Sequence, residues 1–254
     1  MNIFIKTQEE IKKMRVAGKL AAKVLDFIEP YVKEGVSTEE LNKLCHDYIV
    51  ENGAIAAPLN YHGFPKSICT SINNIVCHGI PSEKDILKDG DIVNVDITVI
   101  KEGFHGDTSR MFLVGNVSEE NKILVERTHT AMMRGIEVIK PGVFLNEIGK
   151  AIEKYVQKFD YGIVQDFTGH GIGRQFHEDP PVCHYDLGMT GPRLQAGMCF
   201  TVEPMINATN EWKVDVDEED KWTVYTQDNA MSAQWEHTIL VTKDGYEILT
   251  LSKK

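Results

Sequence analysis

The amino-acid sequence predicts an α+β protein built from two related αβ halves that face each other across a pseudo-two-fold axis. Three observations predict it. The order helix, helix, strands occurs twice along the 254 residues. The stretch "VKEGVSTEELNKLCHDYIV" lies over "IKPGVFLNEIGKAIEKYVQ" with Gly35 on Gly142, an offset of 142 − 35 = 107. The same offset lays "LKDGDIVNVDITVI" over "LQAGMCFTVEPMIN" and places Asp96 on Glu203. An offset kept by two separate segments points to a duplicated unit rather than a many-unit solenoid. The chain reads as one domain, 1–254, with halves at about 10–117 and 118–251.

Each element follows from local pattern. Ile11, Met14, Leu20, Ala21, Val24, Leu25 and Ile28 recur at near-helical spacing with Pro30 as a stop, so a first helix covers residues 11–28. A second opens at Ser37 with Glu40 three residues on, the pattern of a capping box. It turns Leu41, Leu44, Cys45, Tyr48 and Ile49 inward and ends at Gly53. Strand-like segments then run to about residue 115. Among them "NVDITVIKEGFHGDTSRMFLVG", residues 94–115, reads as a hairpin turning at Lys101-Glu102-Gly103. Alternation puts Val93, Val95, Ile97 and Val99 on one face and Asn94, Asp96 and Thr98 on the other. A lone aspartate there is most simply a wet face. Helical segments recur at about 120–139, closed by Pro141-Gly142, and at about 145–159, followed by strands to the end. The last strand, "SAQWEHTILV", carries Glu236 much as "GDTSRMFLV" carries Asp107, with an insertion between them because 236 − 107 = 129.

Composition narrows the function. A chain of 28.6 kDa with 42% hydrophobic residues buries a large core. It has no run of about 18 apolar residues and no apolar stretch of a secretory signal at its start, so a cytoplasmic location is expected. Five cysteines with no Cys-x-x-Cys pair argue against a disulfide framework and a zinc finger. A formal charge of −11 argues against general affinity for nucleic acid or an anionic membrane. Part of that excess lies in "DVDEED", residues 215–220.

If the halves face each other, Asp96, Asp107, Glu203 and Glu236 converge. Each close pair of ionised carboxylates repels by about 4 kcal/mol at an effective dielectric of 20, so the acids are protonated or cations sit among them. The segment "FTGHGIGRQFHED" supplies another ligand type, since Gly169, Gly171 and Gly173 permit close backbone approach and present His170 and His177. Four hard oxygen donors with one imidazole suit a pair of divalent ions such as Mn, Fe, Co or Zn. Bridging carboxylates would hold two such ions about 3.5 Å apart, which is hydrolytic chemistry.

The motifs "YHGFPKSICTSIN", "VCHGIP", "NVDI", "GDTSRMF", "GHGIGRQFHEDP", "TVEPMI" and "WEHTILV", in this order from about residue 9 to 251, resemble type I methionine aminopeptidase in its short form without a zinc-finger extension. The resemblance implies the pita-bread fold, two αβ halves around a dinuclear metal site, and removal of N-terminal methionine from nascent chains and peptides whose second residue is small. It implies Asp96 as ligand of one metal, His170 and Glu203 as ligands of the other, and Asp107 and Glu236 as the bridging pair. His78 and His177 match substrate-side histidines that hydrogen-bond the scissile amide, and Glu203 also shuttles protons. The methionine pocket maps onto Tyr61, Phe64, Cys69, Phe176 and Trp222 with Pro58 at its edge, a lining suited to a thioether. Pro58 and Phe64 stand where relatives often have Cys and Tyr. The family's work on emerging chains implies transient ribosome contact, and a monomer is expected. Prolidase and Xaa-Pro aminopeptidases share the five-ligand pattern but follow an additional amino-terminal domain. A non-catalytic binding module of the same fold would be expected to lose ligands, and all five are present.

Overall fold

At Thr7 the hydroxyl accepts the Glu10 N–H at 3.3 Å and the Glu10 carboxylate accepts the Thr7 N–H at 2.9 Å, a complete capping box. It opens helix α1 (Gln8–Ile28), the first element of a computed structural model that describes residues 1–252. Helix α2 (Thr38–Glu51) follows. The box expected at Ser37 is only half made: its hydroxyl accepts the Glu40 N–H at 3.1 Å, while the backbone at Ser37 bridges to Ile86. The second helix pair is α3 (Glu119–Glu137) and α4 (Asn146–Val156).

Between the pairs lie β1 (Ile55–Ala56), β2 (Cys69–Ile72), β3 (Ile75–Cys77), β4 (Ile92–Lys101) and β5 (Phe104–Leu113). After them come β6 (Gly162–Ile163), β7 (Gly169–Gly171), β8 (Glu178–Val182), β9 (Cys199–Val202), β10 (Met205–Asn207), β11 (Val214–Val216), β12 (Val224–Thr226), β13 (Ser232–Gln234), β14 (His237–Val241) and β15 (Tyr246–Ile248). Strand β4 takes β5 on one edge and β1 and β2 on the other. The later strands form a sheet in the order β15-β14-β9-β7-β8, with β13-β10-β6 and β11-β12-β3 beside it.

Val93, Val95, Ile97 and Val99 are wholly buried in a core with α1 and α2. Each stabilises the fold by about 1.5–3 kcal/mol, so a one-residue slip that turned them outward would be prohibitive. The opposite face of β4 is polar but not wet, since Asn94 and Thr98 are 3% and 1% exposed. A second core lies under α3 and α4, built from Ile136, Ile148, Ile152, Phe200 and Ile239 among others.

The offset of 107 recurs in the backbone. Gly35 and Gly142 have φ of 84° and 88° and donate to Leu87 O and Leu194 O at 2.8 Å in each case. Hydrogen bonds Leu87 N to Val36 O and Leu194 N to Val143 O repeat the pattern. The end strands obey a different rule from the one the sequence suggested. Register pairs Thr98 with Asp107 and Asp96 with Ser109 in the first half, and Met205 with Gln234 and Val202 with His237 in the second. With 205 standing for 98, Gln234 is the counterpart of Asp107, and Ser109 is the counterpart of Glu236. The matching of Asp107 with Glu236 is therefore two residues out. A two-residue shift keeps a side chain on the same strand face, so alternation alone cannot detect it.

The halves are joined at the backbone of the residues that carry the carboxylates. The Thr238 hydroxyl donates to Asp107 O at 2.7 Å and accepts the Asp107 N–H at 3.2 Å. The Thr108 hydroxyl donates to Glu236 O at 2.7 Å.

Candidate metal centre and active site

Asp96 and Asp107 come from the long hairpin β4–β5, and Glu203 and Glu236 from the points where the second half breaks its strands. Between β9 and β10, Pro204 has no N–H to give a ladder, and Trp235-Glu236 separate β13 from β14. His170 sits in the middle of β7, wedged between β8 and β9. Glycines on either side make the wedge possible: a Cβ at Gly169 would lie 2.5 Å from Thr201 O, and one at Gly171 would lie 2.1 Å from Asp179 O.

Ligand atoms of Asp107, His170 and Glu236 all lie within 4.8 Å of one another. The His170 Nδ1–H donates to Gly171 O at 2.9 Å, which leaves Nε2 facing Asp107 Oδ2 at 3.6 Å and Glu203 Oε1 at 3.7 Å. Asp96 and Glu236 are neighbours in the same cluster, each perturbing the other's ionisation. Hydrogen bonds aim the rest: Thr98 Oγ1 donates to Asp107 Oδ1 at 2.7 Å, Thr201 Oγ1 to Glu203 Oε1 at 2.5 Å and Gln234 Nε2 to Glu203 Oε2 at 3.3 Å.

The electrostatics ask for cations. Burial, then the charges of Asp107 and Glu203, push the Asp96 carboxyl well above the usual range. Burial, then Asp107, Glu203 and Asp96, does the same to Glu236. Burial raises Glu203 to about 7 against the pull of His170. Burial pushes His170 down, but the Asp107 hydrogen bond and the charge of Glu203 outweigh it and lift the imidazole to about 9. Asp96 Oδ1 is buried without a hydrogen-bond partner. An orphan carboxylate oxygen and three acids displaced upward by burial and crowded negative charge fit divalent ions among these side chains, and His170 joins them once Nε2 gives up its proton.

These groups line one side of a cavity of about 310 Å³. Pro58, Tyr61, Phe64, Cys69, Phe176 and Trp222 line it as well, together with His78 and His177. Tyr61 Oη is 2.7 Å from His177 Nδ1, and Phe176 stacks on His177 at 4.4 Å. His78, at φ 57°, is set edge-on between Phe167 and Trp222 at 5.4 and 6.3 Å. Burial lowers both His78 and His177 to about 4. The structure thus brings every expected site residue to one cavity.

Sequence reasoning passed over Thr98, Thr201, Met205 and Gln234, which also line or brace the site. Each stands two residues from a carboxylate already singled out, so strand alternation would have found them. Nothing in the sequence marks Asp166 or Phe167, which reach the cavity from the loop between β6 and β7.

Comparison with known proteins agrees with this construction. Residues 12–243 match the model of metallopeptidase family M24. Methionine aminopeptidase of Rickettsia prowazekii is 57% identical over all of this chain and 97% of its own length. The crystal structure of the Rickettsia prowazekii enzyme superimposes with a TM-score of 0.96 over 98% of this chain and 100% of that one. Prolidase from Pyrococcus furiosus, 24% identical, shares the fold with a TM-score of 0.77, covering 98% of this chain but 66% of its own. The α+β arrangement is therefore the pita-bread fold, and the chain belongs to metallopeptidase family M24, within it to the methionine aminopeptidases.

Proposed function

We propose that this protein is a divalent-metal-dependent aminopeptidase that removes the amino-terminal methionine from nascent proteins and peptides whose second residue is small. One observation carries the reading: four carboxylates and an imidazole share a cavity with an aromatic and thiol wall shaped for an unbranched thioether. Asp96, Asp107, His170, Glu203 and Glu236 would hold two divalent ions, Mn, Fe, Co or Zn. When bound, such ions supply Lewis-acid polarisation of the scissile carbonyl and an activated water.

The chain's own groups do the rest. Tyr61, Phe64, Cys69, Phe176 and Trp222 enclose the methionine side chain and exclude water from it. With the Tyr61 hydroxyl donating to Nδ1, His177 carries its proton on Nε2 and presents it to the scissile amide. His78 offers a second neutral ring, positioned by its backbone turn and two aromatic edges. Glu203, a carboxylate of the same cavity, would also carry a proton to the leaving amine.

Work on emerging chains places the enzyme in the cytoplasm, as a monomer in transient contact with the ribosome and without specific nucleic-acid or membrane binding. Among the described residues no helix is long and apolar enough to cross a membrane. The reading is tested by release of methionine from Met-Ala-Ser and Met-Leu-Ser beside cleavage of Ala-Pro-Ser. Efficient release from the first alone is expected. Cleavage of Ala-Pro-Ser without methionine release would replace the assignment with a proline-directed peptidase.

A further inference from the structure

Resting on the assignment of Glu203 to the reacting centre, we infer that His184 is a positioning residue that sets the direction of the Glu203 carboxylate through the Glu203 backbone amide. Strand β9 ends at Val202 and Pro204 offers no N–H, so Glu203 is where the chain leaves one sheet for the next. Its amide has no ladder partner. A buried N–H in that position must find an acceptor, and it donates to His184 Nε2 at 3.1 Å. The imidazole is 1% exposed. Because Nε2 accepts, its proton sits on Nδ1, which is buried with no hydrogen-bond partner among the described residues. The ring is thus committed to a single bond, and that bond ends on a residue of the centre.

His184 is itself fixed from behind. It follows β8 in the segment Cys183–Tyr185, whose carbonyls press on α4: a Cβ at Gly149 would lie 2.2 Å from Tyr185 O and 2.8 Å from Cys183 O. The second helix pair therefore holds the loop, the loop holds the imidazole, and the imidazole holds the amide of Glu203. At the other end Thr201 and Gln234 take one carboxylate oxygen each. Glu203 is braced at three points: by Thr201 of β9, by Gln234 of β13 and, at its amide, by His184 from the segment after β8.

The test uses His184→Gln, His184→Asn and His184→Leu. A Gln side chain reaches about as far as imidazole Nε2 and can accept the amide; Asn reaches only as far as Nδ1; Leu fills space and accepts nothing. Two quantities are read on chelator-stripped full-length protein: affinity for Co(II) with its visible absorption spectrum, and kcat and KM for Met-Ala-Ser after metal return. His184→Gln should restore the wild-type spectrum and stay near wild-type kcat. His184→Asn and His184→Leu should lose about 10–100-fold in metal affinity or kcat, the range for removing a partner that orients a ligand, with KM little changed. If His184→Leu does not fold, the comparison of Gln with Asn decides, since both are polar and smaller than the site. Equal behaviour of Gln and Asn, or full activity and affinity in His184→Leu, would overturn the inference. Glu203→Gln is measured alongside; if it keeps wild-type Co(II) binding and activity, the assignment of Glu203 fails and the inference with it.

Discussion

One hydroxyl decides what His177 can do. A Tyr61 hydroxyl that donates over the 2.7 Å to Nδ1 puts the ring proton on Nε2, and burial keeps the ring neutral with its pKa lowered to about 4. Tyr61→Phe keeps the aromatic wall and removes only that bond. It should lower kcat about tenfold, ~1.4 kcal/mol of barrier, with KM less affected; a rise in KM alone would mean that the hydroxyl binds substrate instead. At this scale much of the site is legible in the sequence, because acids placed in apolar strands and a His between glycines have few bland explanations once they recur together. The bracing groups are less legible. Thr201 and Gln234 are marked only by standing two residues from an acid on the same strand face, and His184 acts through a backbone amide, which no side-chain motif records.

The acidic hairpin shows what an element adds to composition. Of its acids, Asp217 Oδ1 accepts the N–H groups of Glu219 and Asp220, and Asp220 accepts from Trp222 N, Thr223 N and Thr223 Oγ1. These two are turn-makers, and Asp220 places Trp222 at the cavity. Asp220→Ala should therefore raise KM for Met-Ala-Ser several-fold with a smaller change in kcat, measured by steady-state kinetics. Asp215, Glu218 and Glu219 point to solvent. If they oppose docking on anionic ribosomal RNA, neutralising these three should strengthen co-sedimentation with ribosomes most at low salt, where screening is least. Unchanged binding across the salt series would refute that. Helix α1 carries a different constraint: a Cβ at Gly106, next to Asp107, would lie 2.4 Å from the Ala17 carbonyl carbon. Gly106→Ala should destabilise by at least about 1–3 kcal/mol because backbone must move, whereas Gly245→Ala, with nothing within 4 Å, should stay within about 0.5 kcal/mol in denaturant melts. Helix positions were legible to within a few residues from apolar spacing. The end-strand register was not, since a two-residue shift leaves every side chain on its face.

Across the whole molecule, the halves meet where their charge is concentrated, so folding and cation binding are linked. In chelator-stripped protein Glu203 is raised to about 7, Asp96 and Glu236 are raised well above the usual carboxylate range, and His170 is raised to about 9. Each then binds more protons folded than unfolded over its raised interval. Stability of the stripped protein should therefore increase as pH falls from 9 towards 6, below which the buried His78, His177, His184 and His237, whose pKa values burial lowers, charge only on unfolding and oppose the gain; return of metal should flatten the dependence. Melting curves at pH 6 and 8 with and without metal check this; a stripped protein more stable at pH 8 would contradict it. The pseudo-two-fold plan was legible in the offset of 107, and so was the convergence of its acids, while the part of the wall from Asp166 and Phe167 was not, because those residues lie in a loop that carries no strand pattern.

The most direct measurement is methionine release from Met-Ala-Ser by chelator-stripped protein as Mn(II) is returned in known equivalents, for wild type, His170→Ala and Glu40→Ala. Glu40 is remote and exposed, and because Ser37 caps through the Glu40 backbone N–H, loss of the side chain removes only a first-turn charge, about 0.3–1 kcal/mol. The account predicts no release before metal, recovery within about two equivalents per chain for wild type and Glu40→Ala, and no recovery for His170→Ala. Undiminished release from metal-free protein, or equal recovery in folded His170→Ala, would contradict it.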